Sequence, residues 1–130
     1  MNDKMKTIVE TVKQAHGLAI DALAEDQYLH EVAEKAVGVI EAQGFKMPHG
    51  LGHGIGLTIH DSPRLGKKPT HEILLKNWTP TEIEEGMIIT IEPGIYEKDV
   101  GGFRLENDVL ITQNGPVVLT NSEPVFIDLP

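Results

Sequence analysis

Apolar positions divide the chain into two regimes. Between Met5 and about Leu23 they fall at Ile8, Val12, Ala15, Ala19 and Leu23. These steps of three and four residues line one face of a helix. After Ala24-Glu25-Asp26, a second stripe runs through Leu29, Val32, Ala33, Ala36, Val37 and Ile40. Asp26 is the expected N-cap of this helix and Gly44 its left-handed stop. A short link favours antiparallel packing of the two helices, but their stripes are too broad to cover only each other. A flat surface must complete the core.

From Phe45 onward glycine and proline become frequent and β-branched residues cluster. Met87 to Glu92 reads as a strand stopped by Pro93-Gly94, and Phe103 to Thr112 as a longer one. Strand alternation in the latter sends Phe103, Leu105, Val109 and Ile111 to one face and Arg104, Glu106 and Asp108 to the other. Asn114-Gly115, before Val117-Val118-Leu119, signals a tight hairpin turn with positive φ. The long connection from His60 to Glu85 carries Pro63, Gly66, Pro69 and Pro80. It reads as a surface excursion with a short turn or helix near Glu72 to Leu75. The expected class is α+β, with two antiparallel helices packed on a curved, mainly antiparallel sheet. A length of 130 residues fits one domain over 1–130.

Composition acts mainly by exclusion. The 11 Lys and Arg against 20 Asp and Glu give a net charge of −9, with no basic run to track a phosphate backbone. Nucleic acid is not an expected partner. The absence of cysteine excludes a disulfide scaffold, thiolate metal sites and a thiol nucleophile, and it fits a reducing cytoplasm. Any metal must be held by histidine and carboxylate. The opening MNDKMKTIVE is too polar for a signal peptide, and no stretch approaches the ~18 apolar residues of a membrane span. Cytoplasmic localisation is expected.

Candidate chemistry begins at His49-Gly-Leu-Gly-His-Gly-Ile-Gly56, where glycine occupies every second position. If extended, this segment puts His49, Leu51, His53 and Ile55 on one side and four glycines on the other, where a second backbone can approach closely. Taken alone, the pair of histidines also fits a flexible surface loop, and it lacks the Glu of the helical H-E-x-x-H zinc motif. Glu92 ends an otherwise apolar strand, so it is either a solvated strand end or a carboxylate delivered into a cleft. Arg104, Glu106 and Asp108 are either the wet face of a half-exposed strand or part of the same cleft. Imidazole combined with hard oxygen ligands, without sulfur, suits a Mn, Co, Zn or Fe hydrolytic centre.

Three ordered blocks, His49 to Pro63, Gly86 to Tyr96 and Gly102 to Thr112, resemble the pita-bread metallopeptidases, family M24. Within these the resemblance is to the Xaa-Pro dipeptidase (prolidase) and aminopeptidase P branch. The helices before His49 resemble the same catalytic domain. Ile-Glu-Pro-Gly-Ile-Tyr96 and Arg-Leu-Glu-Asn-Asp108 favour that branch over methionine aminopeptidases, and His53 disfavours creatinases. The resemblance implies that His53 ligates one metal ion, that Glu92 is a ligand and proton shuttle, and that Glu106 bridges two metals. It implies that His49 and His60 line the site of a peptide with proline after the scissile bond, and that Arg104 orients Glu106. Mn, Co or Zn would be the cofactor, two divalent ions acidifying a shared water and polarising the scissile carbonyl. Asn107 stands where the branch often has Asp.

The family's centre also uses two Asp ligands, ten residues apart on strands earlier in the domain. Asp21 and Asp26 have the wrong spacing and no strand context. The resemblance therefore implies the C-terminal half of the catalytic domain, with two of the four carboxylates needed to balance two divalent ions, and weak or partial metal binding. Such a half is expected to be a fragment of a longer enzyme or one part of a split one, and by itself to form a homodimer or to associate with an Asp-bearing half. Two other readings are a non-catalytic module holding a peptide or partner on the same fold, and a small β-rich oxidase with one metal.

Overall fold

A computed structural model describes residues 2–24 and 26–121. Helix α1 spans Asp3–Ala22, opened by Asn2, whose side chain accepts the Met5 amide at 2.8 Å. Its expected stripe is buried, Ile8, Val12, Ala15 and Ala19 being fully enclosed. Helix α2 spans Leu29–Ala42, and its cap differs from the expectation. Asp26 lies too far ahead of Leu29 to cap it and instead pairs with Lys35 at 2.6 Å. The N-cap position falls on Tyr28, and the Glu31 carboxylate reaches back to the amides of Gln27 and Tyr28. Glu25 of the expected link lies outside the described residues. The other end of α2 is as expected. Gly44 takes φ +78°, its amide donates to Glu41 and that of Phe45 to Ile40, the paired bonds of a Schellman stop.

The helices pack on an antiparallel five-stranded sheet. In chain order its strands are β1 (Gly52–Gly54), β2 (Asp61–Leu65), β3 (Ile88–Ile91), β6 (Asn107–Thr112) and β7 (Gly115–Val118), arranged β2-β1-β3-β6-β7. Between β3 and β6 the chain forms a second, two-stranded sheet from β4 (Gly94–Glu97) and β5 (Gly101–Arg104). Leu51, Ile89, Ile91 and Val109 meet the helix stripes in one core. Lys4 of α1 ties the small sheet down through Glu97 at 2.6 Å.

Three expectations need correction. The long strand from Phe103 to Thr112 is two strands, with Arg104 ending β5 and Asn107 opening β6. The cause lies opposite, at Pro93, which has no N–H to extend the ladder of β3. The His60 to Glu85 excursion contains a strand, β2, as well as the expected short helix, α3 (Glu72–Leu75). In the glycine-rich segment, Leu51 and His53 do not share surroundings. Only Gly52–Gly54 is strand, the register slips between His53 and Gly54, and Leu51 enters the core while His53 opens on a cleft.

The close backbone approach expected at the glycines is present. A Cβ on Gly52 would lie 1.9 Å from the Thr90 carbonyl oxygen, and one on Gly54 would lie 2.1 Å from that of Ser62. Gly38, inside α2, has no atom within 4 Å of such a Cβ. At the β6–β7 turn the positive φ falls on Gly115 alone of the Asn114-Gly115 pair.

Gly52→Ala should destabilise the chain by about 2 kcal/mol or more, since backbone must move. Gly38→Ala should stabilise it by roughly 0.5–1 kcal/mol through helix propensity. Urea unfolding of both variants checks the contrast, and equal effects would contradict it. His16 is buried on α1, where desolvation pulls the imidazole below the ordinary histidine pKa and the Asn107 side chain opposes it more weakly. The fold thus prefers the neutral ring. This contribution is complete above the unfolded histidine pKa and is lost as pH falls through it toward the lower folded value. The unfolding midpoint should drop between about pH 7 and pH 5. His16→Leu should flatten that slope, and an unchanged slope would assign the effect elsewhere.

Candidate metal centre

The two glutamates meet because of strand register. Ile91 of β3 pairs with Asn107 of β6, and Gly94 of β4 pairs with Arg104 of β5. The register on the two sides is continuous, so Glu92 and Glu106 face each other across the interrupted stretch between the sheets. There the ladder bond that remains runs from the Leu105 amide to the Pro93 carbonyl at 3.3 Å. His53 comes from the neighbouring strand β1, whose Gly54 pairs with Ile89 of β3. Its Nε2 lies 3.3 Å from Glu92 Oε1.

One donor atom from each of His53, Glu92 and Glu106 falls within 4.8 Å of the other two. No other such group of three occurs among the described residues. Asp21, Asp26 and Asp108 are not part of it. The histidine is oriented for ligation, since Nδ1 stands 2.9 Å from the Gly54 carbonyl. A carbonyl only accepts, so in the neutral ring Nδ1 carries the proton and Nε2 keeps its lone pair toward the glutamates. One imidazole and two carboxylates, partly sheltered, fit a divalent cation.

The remaining expected residues surround this cluster. His49, His53, His60, Glu92 and Arg104 all line one cleft of about 630 Å³. The His60 ring is 4.6 Å from that of His53, at the exposed edge of the cleft. Arg104 stands between the carboxylates, 3.9 Å from Glu92 Oε2 and 4.0 Å from Glu106 Oε2. At these lengths, and with the guanidinium half exposed, each pair is worth less than about 1 kcal/mol. Asn107 points elsewhere, its amide donating to the backbone and side-chain oxygens of Thr120, a role no carboxylate could fill.

Two further groups, not marked as site residues by any sequence motif, belong to the cleft. Tyr96 Oη lies 3.1 Å from His49 Nε2, while His49 Nδ1 meets the Gly50 carbonyl at 2.8 Å. The tyrosine hydroxyl therefore donates to the neutral imidazole. Gly94 makes room for this pair, since a Cβ there would stand 2.6 Å from the Tyr96 hydroxyl. Arg64 also lines the cleft, brought in because it pairs with His53 across β1 and β2. Tyr96 sits four residues after Glu92, but without the β4–β5 hairpin nothing in that spacing points it at His49.

Residues 1–113 match the sequence model of metallopeptidase family M24. The chain belongs to that family. It is 39% identical over 124 residues to the Xaa-Pro dipeptidase of Pyrococcus furiosus, covering 94% of this chain and 33% of that protein. Among solved structures, the prolidase of Pyrococcus horikoshii superposes with a TM-score of 0.83 at 37% identity, over 97% of this chain and 34% of the other. The prolidase of Pyrococcus furiosus gives 0.82 at 38% identity, over 95% and 34%. The M24 chain described here spans about a third of the length of the curated relatives it matches. Its helices packed on an antiparallel sheet match the corresponding third of the pita-bread prolidases. No helix among the described residues is long and apolar enough to cross a membrane.

Calorimetric titration with Mn²⁺ should show binding that His53→Ala or Glu92→Gln weakens about tenfold or more, since each removes a donor. His60→Ala, outside the cluster, should leave the affinity nearly unchanged. Equal affinity in wild type and His53→Ala would contradict the assignment.

Proposed function

We propose that this chain supplies His53, Glu92 and Glu106 to a dinuclear metal centre in an M24 exopeptidase that hydrolyses Xaa-Pro peptide bonds. The observation that carries this reading is the convergence of those three donors within 4.8 Å, in the cleft that also holds His49 and His60. The likeness to Xaa-Pro dipeptidases supports the substrate class. Mn, Co or Zn bound there would polarise the scissile carbonyl and acidify a water near neutral pH.

The chain's own residues divide the rest of the work. His49, held in one tautomer between Gly50 and Tyr96, presents a fixed face to the peptide around the scissile bond. His60, at the open edge, hydrogen-bonds the peptide from the other side of the cleft. Glu92 takes the proton given up by the attacking water at Oε2, the oxygen nearer Arg104, and passes it to the leaving nitrogen as the C–N bond breaks. Arg104 orients Glu106 and limits the repulsion between two carboxylates brought face to face.

Charge balance identifies what must be added. Two glutamates neutralise one divalent ion, so a dinuclear centre needs further carboxylates, and the two Asp of the family pattern are the natural source. Exposed apolar side chains in the segment that leads to His60 support association: Leu57 is fully exposed and Ile59 is 73% exposed. In this reading these residues work with an Asp-bearing half, on the same polypeptide or on another, or with a second copy.

Xaa-Pro cleavage should be near background for the chain alone with Mn²⁺ or Co²⁺, and should rise at least about a hundredfold when an Asp-bearing M24 half is added. No cleavage after complementation would favour a module that only holds a peptide. Stoichiometric metal binding with full hydrolysis by the lone chain would overturn the shared-centre argument. A clean monomer by light scattering at high concentration would remove self-association.

A further inference from the structure

Thr90 is almost fully buried, at 2% exposure, and its hydroxyl stands at the junction of the two strands that carry His53 and Glu92. On β3, alternation puts Thr90 and Glu92 on the same face. Across the sheet, the pairing of Gly54 with Ile89 sets Thr90 opposite His53. Thr90 Oγ1 is 3.0 Å from the His53 backbone nitrogen and 3.0 Å from Glu92 Oε1.

These contacts determine which way the hydroxyl works. The His53 N–H can only donate, so Oγ1 accepts from it and its own hydrogen is free for an acceptor. Glu92 Oε1 lies at good distance, and the alternative, the His53 carbonyl, is farther at 3.5 Å. One buried hydroxyl thus holds the backbone of the histidine and the carboxylate of the glutamate at the same time. Gly52 admits it, because a Cβ there would stand 2.9 Å from Oγ1 as well as against the Thr90 carbonyl. Glu92 Oε1 is then confined between the Thr90 hydroxyl and His53 Nε2.

We propose that Thr90 is a positioning residue of the metal centre, its hydroxyl clasping β1 to β3 so that His53 and Glu92 present their donor atoms at a fixed separation. The inference rests on the metal-centre reading above. It goes further by assigning the separation of two ligands to a side chain that touches no ion and lies outside the expected ligand set. A hydroxyl is required at this point because it must accept and donate simultaneously. Valine fills the same volume and does neither. Serine retains both functions and loses only a methyl group.

The test compares wild type with Thr90→Val and Thr90→Ser in the whole 130-residue chain. Thr90→Ala replaces the valine variant if that one does not fold. Two readouts are taken: hydrogen exchange of the His53 amide in EDTA, and Mn²⁺ affinity by calorimetry. In T90V the His53 amide should exchange about tenfold faster, and Mn²⁺ affinity should fall by about 10–100-fold, the usual loss when an outer partner of a ligand is removed. T90S should bring both back to within about threefold of wild type, a rescue that a purely space-filling role would not produce. Wild-type affinity and amide protection in T90V would overturn the proposal, as would equal losses in T90V and T90S. A wild-type chain that binds Mn²⁺ no better than His53→Ala overturns the metal-centre reading itself. That differs from failure of the Thr90 inference alone, where wild type binds Mn²⁺ and T90V binds it equally well.

Discussion

Two carboxylates held face to face, where a β-ladder is interrupted, set the terms for the rest of this structure. Glu92 and Glu106 occupy opposed positions between the β3–β6 pairing and the β4–β5 pairing. Like charges on opposed strand positions repel. Among the described residues, Arg104 offsets that repulsion only in part, since it reaches each glutamate at about 4 Å and from a half-exposed position. The arrangement is therefore a local cost that a bound cation would turn into a gain. Buried side chains on both sides keep the strands from separating to relieve it, with Ile91, Ile95 and Val109 fully enclosed.

The helices serve this geometry indirectly. Their apolar stripes cover one face of the sheet, anchoring β3 and β6 through Ile89 and Val109 and leaving the other side for the cleft. The glycines of β1 do a different job. Side chains at Gly52 or Gly54 would collide with the carbonyls of Thr90 and Ser62, so their absence lets β1 settle between β2 and β3 and bring His53 within reach of Glu92. Sequence, packing and site chemistry are linked here by missing methyl groups.

Much of this was legible in the sequence, and the parts that were not share a cause. Helical stripes are read from spacing alone, so Ile8 to Leu23 and Leu29 to Ile40 gave their elements directly, and Gly44 its Schellman stop. His49, His53, His60, Glu92, Arg104 and Glu106 stood out by residue type and motif, and the fold gathers all six around one cleft. What escaped depends on partners distant in sequence. Asp26 reads as a cap from its residue type, but the helix opens at Leu29 behind Tyr28, and Glu31 reaches back to the free amides. The strand through Phe103 to Thr112 was legible as extended backbone, but its interruption is imposed by Pro93 on the opposite strand. β2 is short, carries Pro63 and is only half-covered, so no alternation marks it. Tyr96 was unremarkable until the β4–β5 hairpin placed it against His49.

The order of strands carries a dynamic consequence. His53 lies on β1, Glu92 directly follows β3 and Glu106 directly precedes β6, which are the three interior strands of the five, while β2 and β7 form the rims. Thermal opening of a sheet proceeds from strands bonded on one side only, because they have fewer bonds and contacts to break. Fraying of β2 would widen the mouth of the cleft near Arg64 while leaving the donor atoms in register. Access and coordination are thus assigned to different layers of local stability, so the entrance can breathe on a faster timescale than the donors lose their spacing.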